Sequence, residues 1–150
     1  MLVKHFIKMT KKQIIPYDQQ LARRLVKLLS RSKVSPNQIT ALTLFMALGS
    51  SFLFAQGDPV SDNWGAGIFI LARFFDHFDG ELARIKDMTS RLGYYLDYTS
   101  GTISYCALFI CLGIRFYQTE LGVWSIVLGT AGAASAIISM FIKILETPKV

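Results

Sequence analysis

The amino-acid sequence predicts an all-α protein: a polytopic membrane helix bundle of about four transmembrane helices, preceded by an interfacial amphipathic helix. Hydrophobic residues make up 52% of the 150 residues, and a chain of this length forms at most one domain. Apolar segments recur four times, which leaves too little polar surface for a water-soluble fold. The basic residues are concentrated before the first apolar segment, as is typical of a cytoplasmic flank.

The segment before the first span, residues 17–32, has the pattern of an amphipathic helix. Leucines share one face at helical spacing and basic residues share another: Leu21, Leu25, Leu28 and Leu29 against Arg23, Lys27 and Arg31. A basic, leucine-striped helix next to a span lies in the interface, with its cations near anionic headgroups. The alternative is a solvated helix that packs on a neighbouring chain. We assign residues 1–35 to a cytoplasmic N-terminus that contains this juxtamembrane helix.

The transmembrane domain is predicted over residues 36–150. Four apolar segments provide its spans: residues 39–55, about 64–83, 92–114 and 121–142. Pro36 suits the first turn of the first helix, because the N–H that proline lacks has no intrahelical partner there. The last segment carries no charge and reaches the roughly 20 residues that a bilayer requires. The second segment is weaker, since four charged side chains interrupt it.

The distribution of charge predicts the orientation. Nine of the sixteen Lys and Arg residues precede residue 34, so the positive-inside rule places the N-terminus in the cytoplasm. Four crossings return the C-terminus to the same side. We therefore expect an integral protein, in a bacterial inner membrane, whose N-terminus and inner helix ends face the cytoplasm. The same distribution argues against a nucleic-acid partner, because the cations flank a membrane span.

Carboxylates lie near the predicted inner ends of the second and third spans. Each of these helices carries one stripe of acidic and small residues: Asp76, Asp79, Gly80 and Ala83 on the second, and Gly93, Asp97 and Gly101 on the third. If the stripes of an antiparallel pair face each other, three carboxylates converge, and the small residues leave room for a ligand or a close helix approach. Such oxygen ligands suit Mg²⁺, Mn²⁺ or Ca²⁺. Countercharge for a phosphate would come from Arg84, Lys86 and Arg91 at the mouth.

Two other interpretations use the same residues. Asp76 and Asp79 also suit a capping and salt-bridge cluster with Arg73 and Arg84 at a helix end. Alternatively, the carboxylates line a cation path or have a purely structural role. The metal site is favoured because Asp97 lies in register with the first two aspartates. We expect Arg73 itself to pair with Asp76.

In order and spacing, these residues resemble the signature of the CDP-alcohol phosphatidyltransferases, Asp-x2-Asp-Gly-x2-Ala-Arg-x8-Gly-x3-Asp-x3-Asp. Seven of its eight fixed positions are matched, by Asp76, Asp79, Gly80, Ala83, Arg84, Gly93 and Asp97. The stretch Pro36-Asn37-Gln38-Ile39-Thr40 is similar to the family's entry to its first span. The resemblance covers about residues 17–143.

The resemblance implies a metal-dependent transferase of phospholipid biosynthesis, which moves a substituted phosphate from a CDP-linked donor to a small alcohol and releases CMP. The expected donor is CDP-diacylglycerol or another CDP-alcohol, and we expect a homodimer among membrane lipids. Carried over, the metal ligands of a two-ion site for Mg²⁺ or Mn²⁺ are Asp76, Asp79 and Asp97. The implied substrate-binding residues are Asn37, Thr40, Gly80, Ala83, Arg84 and Gly93.

The chain departs from the family at one signature position. The family's fourth aspartate, a metal ligand and the presumed base that activates the acceptor hydroxyl, is replaced by Gly101. His77 is the alternative candidate base, because an imidazole titrates near neutral pH. The family also has six spans where four are predicted here, so we expect either a fragment or a shortened member that a partner completes. The sequence thus predicts an active transferase or, alternatively, a catalytically impaired relative that still binds a CDP-linked lipid or nucleotide.

Overall fold

The computed structural model describes Val26 and residues 32–146 of the chain. Four long helices make up this part: α1 (Pro36–Gln56), α2 (Pro59–Ile85), α3 (Arg91–Arg115) and α4 (Val123–Glu146). Helix α1 packs against both α2 and α3, and α4 packs against α3. Within this described part there is no strand, which confirms the all-α prediction.

Local sequence determines where α1 begins and ends. Ser35 caps α1, and a reciprocal pair of hydrogen bonds joins it to Gln38: the Gln38 N–H donates to Ser35 Oγ, and the Ser35 N–H donates to Gln38 Oε1. Pro36 occupies the first turn, as the sequence predicted. The helix ends at Gly57, whose φ of 88° is left-handed and favours glycine.

Asp58 starts the next helix immediately. Its carboxylate accepts hydrogen bonds from the backbone N–H groups of Val60 and Ser61 at 3.1 and 3.0 Å. Hydrogen bonds from the Ser61 side chain and backbone lower the pKa of the exposed Asp58 carboxyl. The connection between α1 and α2 is therefore a tight turn, so the two helices must run antiparallel as neighbours.

The surface of the bundle is apolar, and part of its interior is polar. Phe45, Trp124 and Leu145 are 73%, 71% and 82% exposed, whereas Thr43, Ser50 and Ser104 are fully buried. This arrangement suits a lipid environment, in which small hydroxyl residues mediate helix contacts and large apolar side chains face outward. By length and composition, two helices, α1 and α4, are apolar enough to cross a membrane. We predict that α2 and α3 also cross the membrane. Charged residues interrupt the apolar character of α2.

Small residues bring the helices together at the end of the bundle that contains the α1–α2 and α3–α4 connections, here called the far end. A Cβ added at Gly129 of α4 would lie only 2.6 Å from the Phe109 carbonyl oxygen of α3. Nearby, Ser125 Oγ donates to the Gly113 carbonyl oxygen at 2.9 Å. Between α1 and α2, Ser50 Oγ donates to the Gly65 carbonyl oxygen at 2.8 Å. These contacts hold the far end at close backbone spacing.

The predicted amphipathic helix at residues 17–32 lies outside the described residues, apart from Val26 and Ser32. Val26 is helical and fully buried, and it belongs to an apolar cluster with Ile39, Phe78 and Leu82. At least this position before α1 therefore packs against the C-terminal half of α2.

Candidate functional site

Three carboxylates converge at the opposite end of the bundle, here called the carboxylate end. One oxygen each from Asp76, Asp79 and Asp97 lies within 4.8 Å of the others. The sequence predicted this convergence from a direct pairing of α2 with α3, but the backbones of these two helices make no close approach within the described residues. Helix α1 packs against both and leaves a gap between them at this end, and the carboxylates point into that gap.

Helix α1 also orients one member of the cluster. Asp79 is only 4% exposed, and its Oδ2 accepts a hydrogen bond of 2.5 Å from Thr40 Oγ1. Its other oxygen accepts from the Gly80 backbone N–H at 2.6 Å. Both carboxylate oxygens are therefore fixed, which is the kind of second-shell support that orients metal ligands. Local periodicity could not reveal the bond between Thr40 and Asp79, since it joins residues that are far apart in sequence.

Asp76 forms the expected pair with Arg73, with 3.4 Å between Arg73 Nη1 and Asp76 Oδ2. The other oxygen, Asp76 Oδ1, is buried and has no hydrogen-bond partner among the described residues. Three clustered carboxylates, one with an unpartnered buried oxygen, match the all-oxygen coordination that Mg²⁺ and Mn²⁺ prefer. The residues present therefore fit a divalent cation.

A cavity of about 320 Å³ opens beside the cluster, between the start of α1, the end of α2 and the start of α3. We call it the first cavity. All six residues predicted to bind substrate line it: Asn37, Thr40, Gly80, Ala83, Arg84 and Gly93. A Cβ added at Gly80 would meet nothing within 4 Å, so this position provides open space, whereas a Cβ added at Gly93 would lie 3.1 Å from Ser90 Oγ. The binding role of the six residues stays a prediction.

The sequence did not single out Ser90, which also lines the first cavity. Its Oγ accepts from the Gly93 N–H at 3.0 Å and caps α3. A serine directly before an apolar helical segment is the signal that could have identified it. Tyr94 and Tyr98 pack against each other, with 4.6 Å between their ring centroids, and they line the same cavity.

The basic residues expected at the mouth behave differently from one another. Arg84 lines the first cavity, is largely exposed and pairs with Glu81 at 3.2 Å. Lys86 does not line the first cavity, and its ammonium donates to the Ser32 and Val34 carbonyl oxygens, both at 2.7 Å, so its role as countercharge stays a prediction. It ties the segment before α1 to the end of α2.

His77, the candidate base, lies outside the cluster. Its side chain is exposed, and its Nδ1 lies 2.8 Å from the Arg73 carbonyl oxygen of the preceding helical turn. It lines neither of the two cavities described here. Its role as a base is still a prediction.

A second cavity, of about 400 Å³, lies on the other side of Asp97, between α2, α3 and α4. It contains two cations, Arg73 and Lys143, and side chains with hydroxyl groups: Tyr98, Thr102, Tyr105 and Ser139. Asp97 and Tyr98 line both cavities. The sequence did not single out Ser139 and Lys143, although their spacing of four residues places both on one face of a largely apolar helix.

Gly101 borders this second cavity. A Cβ at position 101 would meet only Arg73 Nη1, at 3.9 Å. The position that the signature assigns to a fourth aspartate is therefore open, and a guanidinium lies beside it.

The sequence matches the CDP-alcohol phosphatidyltransferase family over residues 33–148, a range that includes all four helices and both cavities. The chain belongs to this family. The match confirms the resemblance drawn from the seven signature residues, and it supports membership of an integral membrane family, consistent with the two apolar helices.

Curated relatives include proteins of different activities and organisms. The chain is 32% identical to an uncharacterised protein of Aquifex aeolicus over 75% of its own length and 57% of that protein. It is 31% identical to the archaetidylinositol phosphate synthase of Pyrococcus horikoshii, over 61% of this chain and 47% of that enzyme. It is also 31% identical to the phosphatidylinositol phosphate synthase of Corynebacterium glutamicum, over 61% and 41% of the two chains. The chain spans about half the length of these relatives.

Proposed function

We propose that this protein transfers a substituted phosphate from a CDP-linked donor, CDP-diacylglycerol, to a small alcohol and releases CMP. One observation supports this most strongly: the carboxylate cluster lies between two cavities, and Asp97 and Tyr98 line both. A group transfer between two substrates needs this arrangement, since donor and acceptor must meet at one point while each keeps its own binding space.

The donor would occupy the first cavity. There Arg84 offers a guanidinium to the phosphates, and Gly80, Ala83 and Gly93 allow the nucleotide to approach the helices closely. Asp76, Asp79 and Asp97 would hold Mg²⁺ or Mn²⁺, which neutralises charge on the diphosphate and on the CMP leaving group. The Thr40 hydroxyl would keep Asp79 in place through its 2.5 Å hydrogen bond.

The acceptor would occupy the second cavity. The names of two relatives describe inositol phosphate lipid synthases, and a phosphorylated polyol suits a cavity with Lys143, Arg73 and several hydroxyl groups. The acceptor oxygen forms a bond to the phosphorus as the bond from phosphorus to the CMP oxygen breaks. The proton of that hydroxyl goes to a base, for which His77 is our candidate.

An alternative function is that of a catalytically impaired relative that binds a CDP-linked lipid or nucleotide. Gly101 favours it, because the signature's fourth carboxylate is missing and the candidate base His77 lines neither cavity. Loss of a general base typically lowers a rate by about 10² to 10⁴.

The proposal includes the setting of the reaction. We infer that all four helices cross an inner membrane and that the carboxylate end faces the cytoplasm, preceded by an interfacial helix in residues 1–35. The positive charge before α1 supports this orientation. We also infer a homodimer, as expected for the family.

The test is CMP release from CDP-diacylglycerol by the purified full chain in lipid nanodiscs. Acceptors would be inositol phosphate, glycerol phosphate, inositol and serine, each with Mg²⁺ or with EDTA. We expect Mg²⁺-dependent release with a phosphorylated polyol, lowered at least about 10²-fold in Asp79→Asn, because even outer-shell partners of a metal typically matter by 10- to 100-fold.

The matched control is Asp62→Asn, which removes a carboxylate at the far end and should leave the rate unchanged. No release with any acceptor, together with metal-dependent CDP binding, would favour the impaired relative. Release that continues in EDTA would contradict the metal-dependent mechanism.

A further inference from the structure

The guanidinium of Arg73 bridges the gap between α2 and α3. Its Cζ lies 5.8 Å from the ring centroid of Phe69 on its own helix and 5.2 Å from that of Tyr105 on α3. The two rings meet edge to face at 6.1 Å. Cation–π contacts with two rings on two helices hold this side chain in one place. Arg73 is therefore a fixed positive charge and not a mobile surface cation.

The same guanidinium lies over the open position at Gly101, one helical turn before Tyr105. Its Nη1 is 3.9 Å from where a Cβ at position 101 would be and 3.4 Å from Asp76 Oδ2. A carboxylate at position 101 would project from α3 toward the cluster from this side. In this chain the Arg73 guanidinium borders that space, and the carboxylate of the signature's fourth aspartate is absent.

The charge balance indicates how the missing carboxylate at position 101 and the presence of Arg73 affect metal binding. Compared with four carboxylates alone, three carboxylates beside Arg73 are more positive by two charges: one from the aspartate that Gly101 replaces, and one from the guanidinium. Together they supply the charge of one divalent cation. One divalent cation and Arg73 together balance the charges of Asp76, Asp79 and Asp97. A second divalent cation would leave excess positive charge beside the guanidinium of Arg73, which is held in place.

We propose that this carboxylate cluster holds one divalent cation, and that Arg73 takes the place of a second. The inference rests on the proposed metal site but not on transferase activity. Arg73 also lines the second cavity, where its guanidinium is placed to bind an anion such as a phosphate oxygen. The two-ion site expected from the family is reduced here to one ion and one side chain.

The test is the number of tightly bound Mn²⁺ ions per chain, measured by electron paramagnetic resonance on the purified full chain. We expect one Mn²⁺ with the spectrum of an isolated ion. Two ions that share carboxylates at about 3.5–4 Å would instead give a spin-coupled spectrum. Two tight ions in the wild-type protein would overturn the inference, and no tight ion would overturn the proposed metal site as well.

A double variant tests the role of the two positions directly. In Gly101→Asp with Arg73→Gln, the signature's fourth carboxylate is present and the fixed cation is gone, so we expect two spin-coupled Mn²⁺ ions per chain. The control Asp62→Asn should keep one. A double variant that folds, as judged by retention of its first Mn²⁺, but binds no second ion would also overturn the inference. The wild-type count decides the question if the double variant does not fold.

Discussion

The two ends of the bundle use the same helices in opposite ways. At the far end, glycines and serines bring backbones into contact, and one carboxylate, Asp62, pairs with one cation, Arg115, at 3.1 Å. At the carboxylate end, three carboxylates cluster, Arg73 pairs with one of them, Asp76, and two cavities lie between the helices. The far end is thus closely packed around one ion pair, whereas the carboxylate end is open and holds a cluster of three carboxylates with one paired guanidinium.

This difference assigns stability mainly to the far end and ligand binding mainly to the carboxylate end. Three carboxylates within 4.8 Å of one another repel each other in a poorly hydrated interior, so they do not stabilise the fold by themselves. The close contacts at the far end stabilise the bundle and keep α2 and α3 in position. We therefore expect far-end substitutions to change stability and carboxylate-end substitutions to change ligand binding.

The largest effect on stability is expected at Gly129. In Gly129→Ala the new methyl group would lie 2.6 Å from the Phe109 carbonyl oxygen, so α3 and α4 must move apart. Overpacking of this kind typically costs about 1–3 kcal/mol. Thermal unfolding in detergent should show a lower midpoint, while the folded variant should still bind Mn²⁺ as tightly as the wild type.

Gly67→Ala is the matched control, because a Cβ at Gly67 meets nothing within 4 Å. In an α-helix this change should stabilise by about 0.5–1 kcal/mol. If both alanine variants unfold at the same midpoint, the close contact between α3 and α4 does not stabilise the far end as argued.

A smaller effect is expected at the turn between α1 and α2. Asp58→Ala removes the cap of α2 and should lower the unfolding midpoint slightly at pH 6, whereas Asp58→Asn should not, because asparagine is an equally good cap. The pKa of Asp58 is lowered from its ordinary value of 3.8. Its contribution is therefore complete above that value and is lost as the pH falls through the lowered pKa.

The measurement is the unfolding midpoint of the wild type and both variants between pH 6 and pH 3. The wild type should lose stability relative to Asp58→Asn toward pH 3. Equal midpoints for all three proteins at pH 6 would show that this cap does not stabilise α2.

Much of the site could be predicted from the sequence because the signature is local. Helical spacing placed Asp76, Asp79 and Asp97 on facing stripes, and the six predicted substrate-binding residues do line one cavity. The apolar segments likewise predicted all four helices of the described part, and Pro36 marked the start of the first.

Long-range contacts could not be predicted in this way. Periodicity does not show that α1 packs against both α2 and α3, nor that Lys86 is bound by carbonyl groups of the segment before α1. The position of Arg73 beside Gly101 also depends on Tyr105, a residue on another helix. Such contacts depend on how the helices assemble, and the residue pattern of a single helix does not predict them.

Equilibrium binding of CDP to the purified chain, with and without Mn²⁺, tests most directly whether the carboxylate end is the functional site. It needs neither the acceptor nor turnover. We predict Mn²⁺-dependent binding that Asp97→Asn weakens at least tenfold, while Asp62→Asn, which alters the far-end carboxylate, leaves it unchanged. Binding that is independent of Mn²⁺, or equally weakened by both variants, would contradict the account.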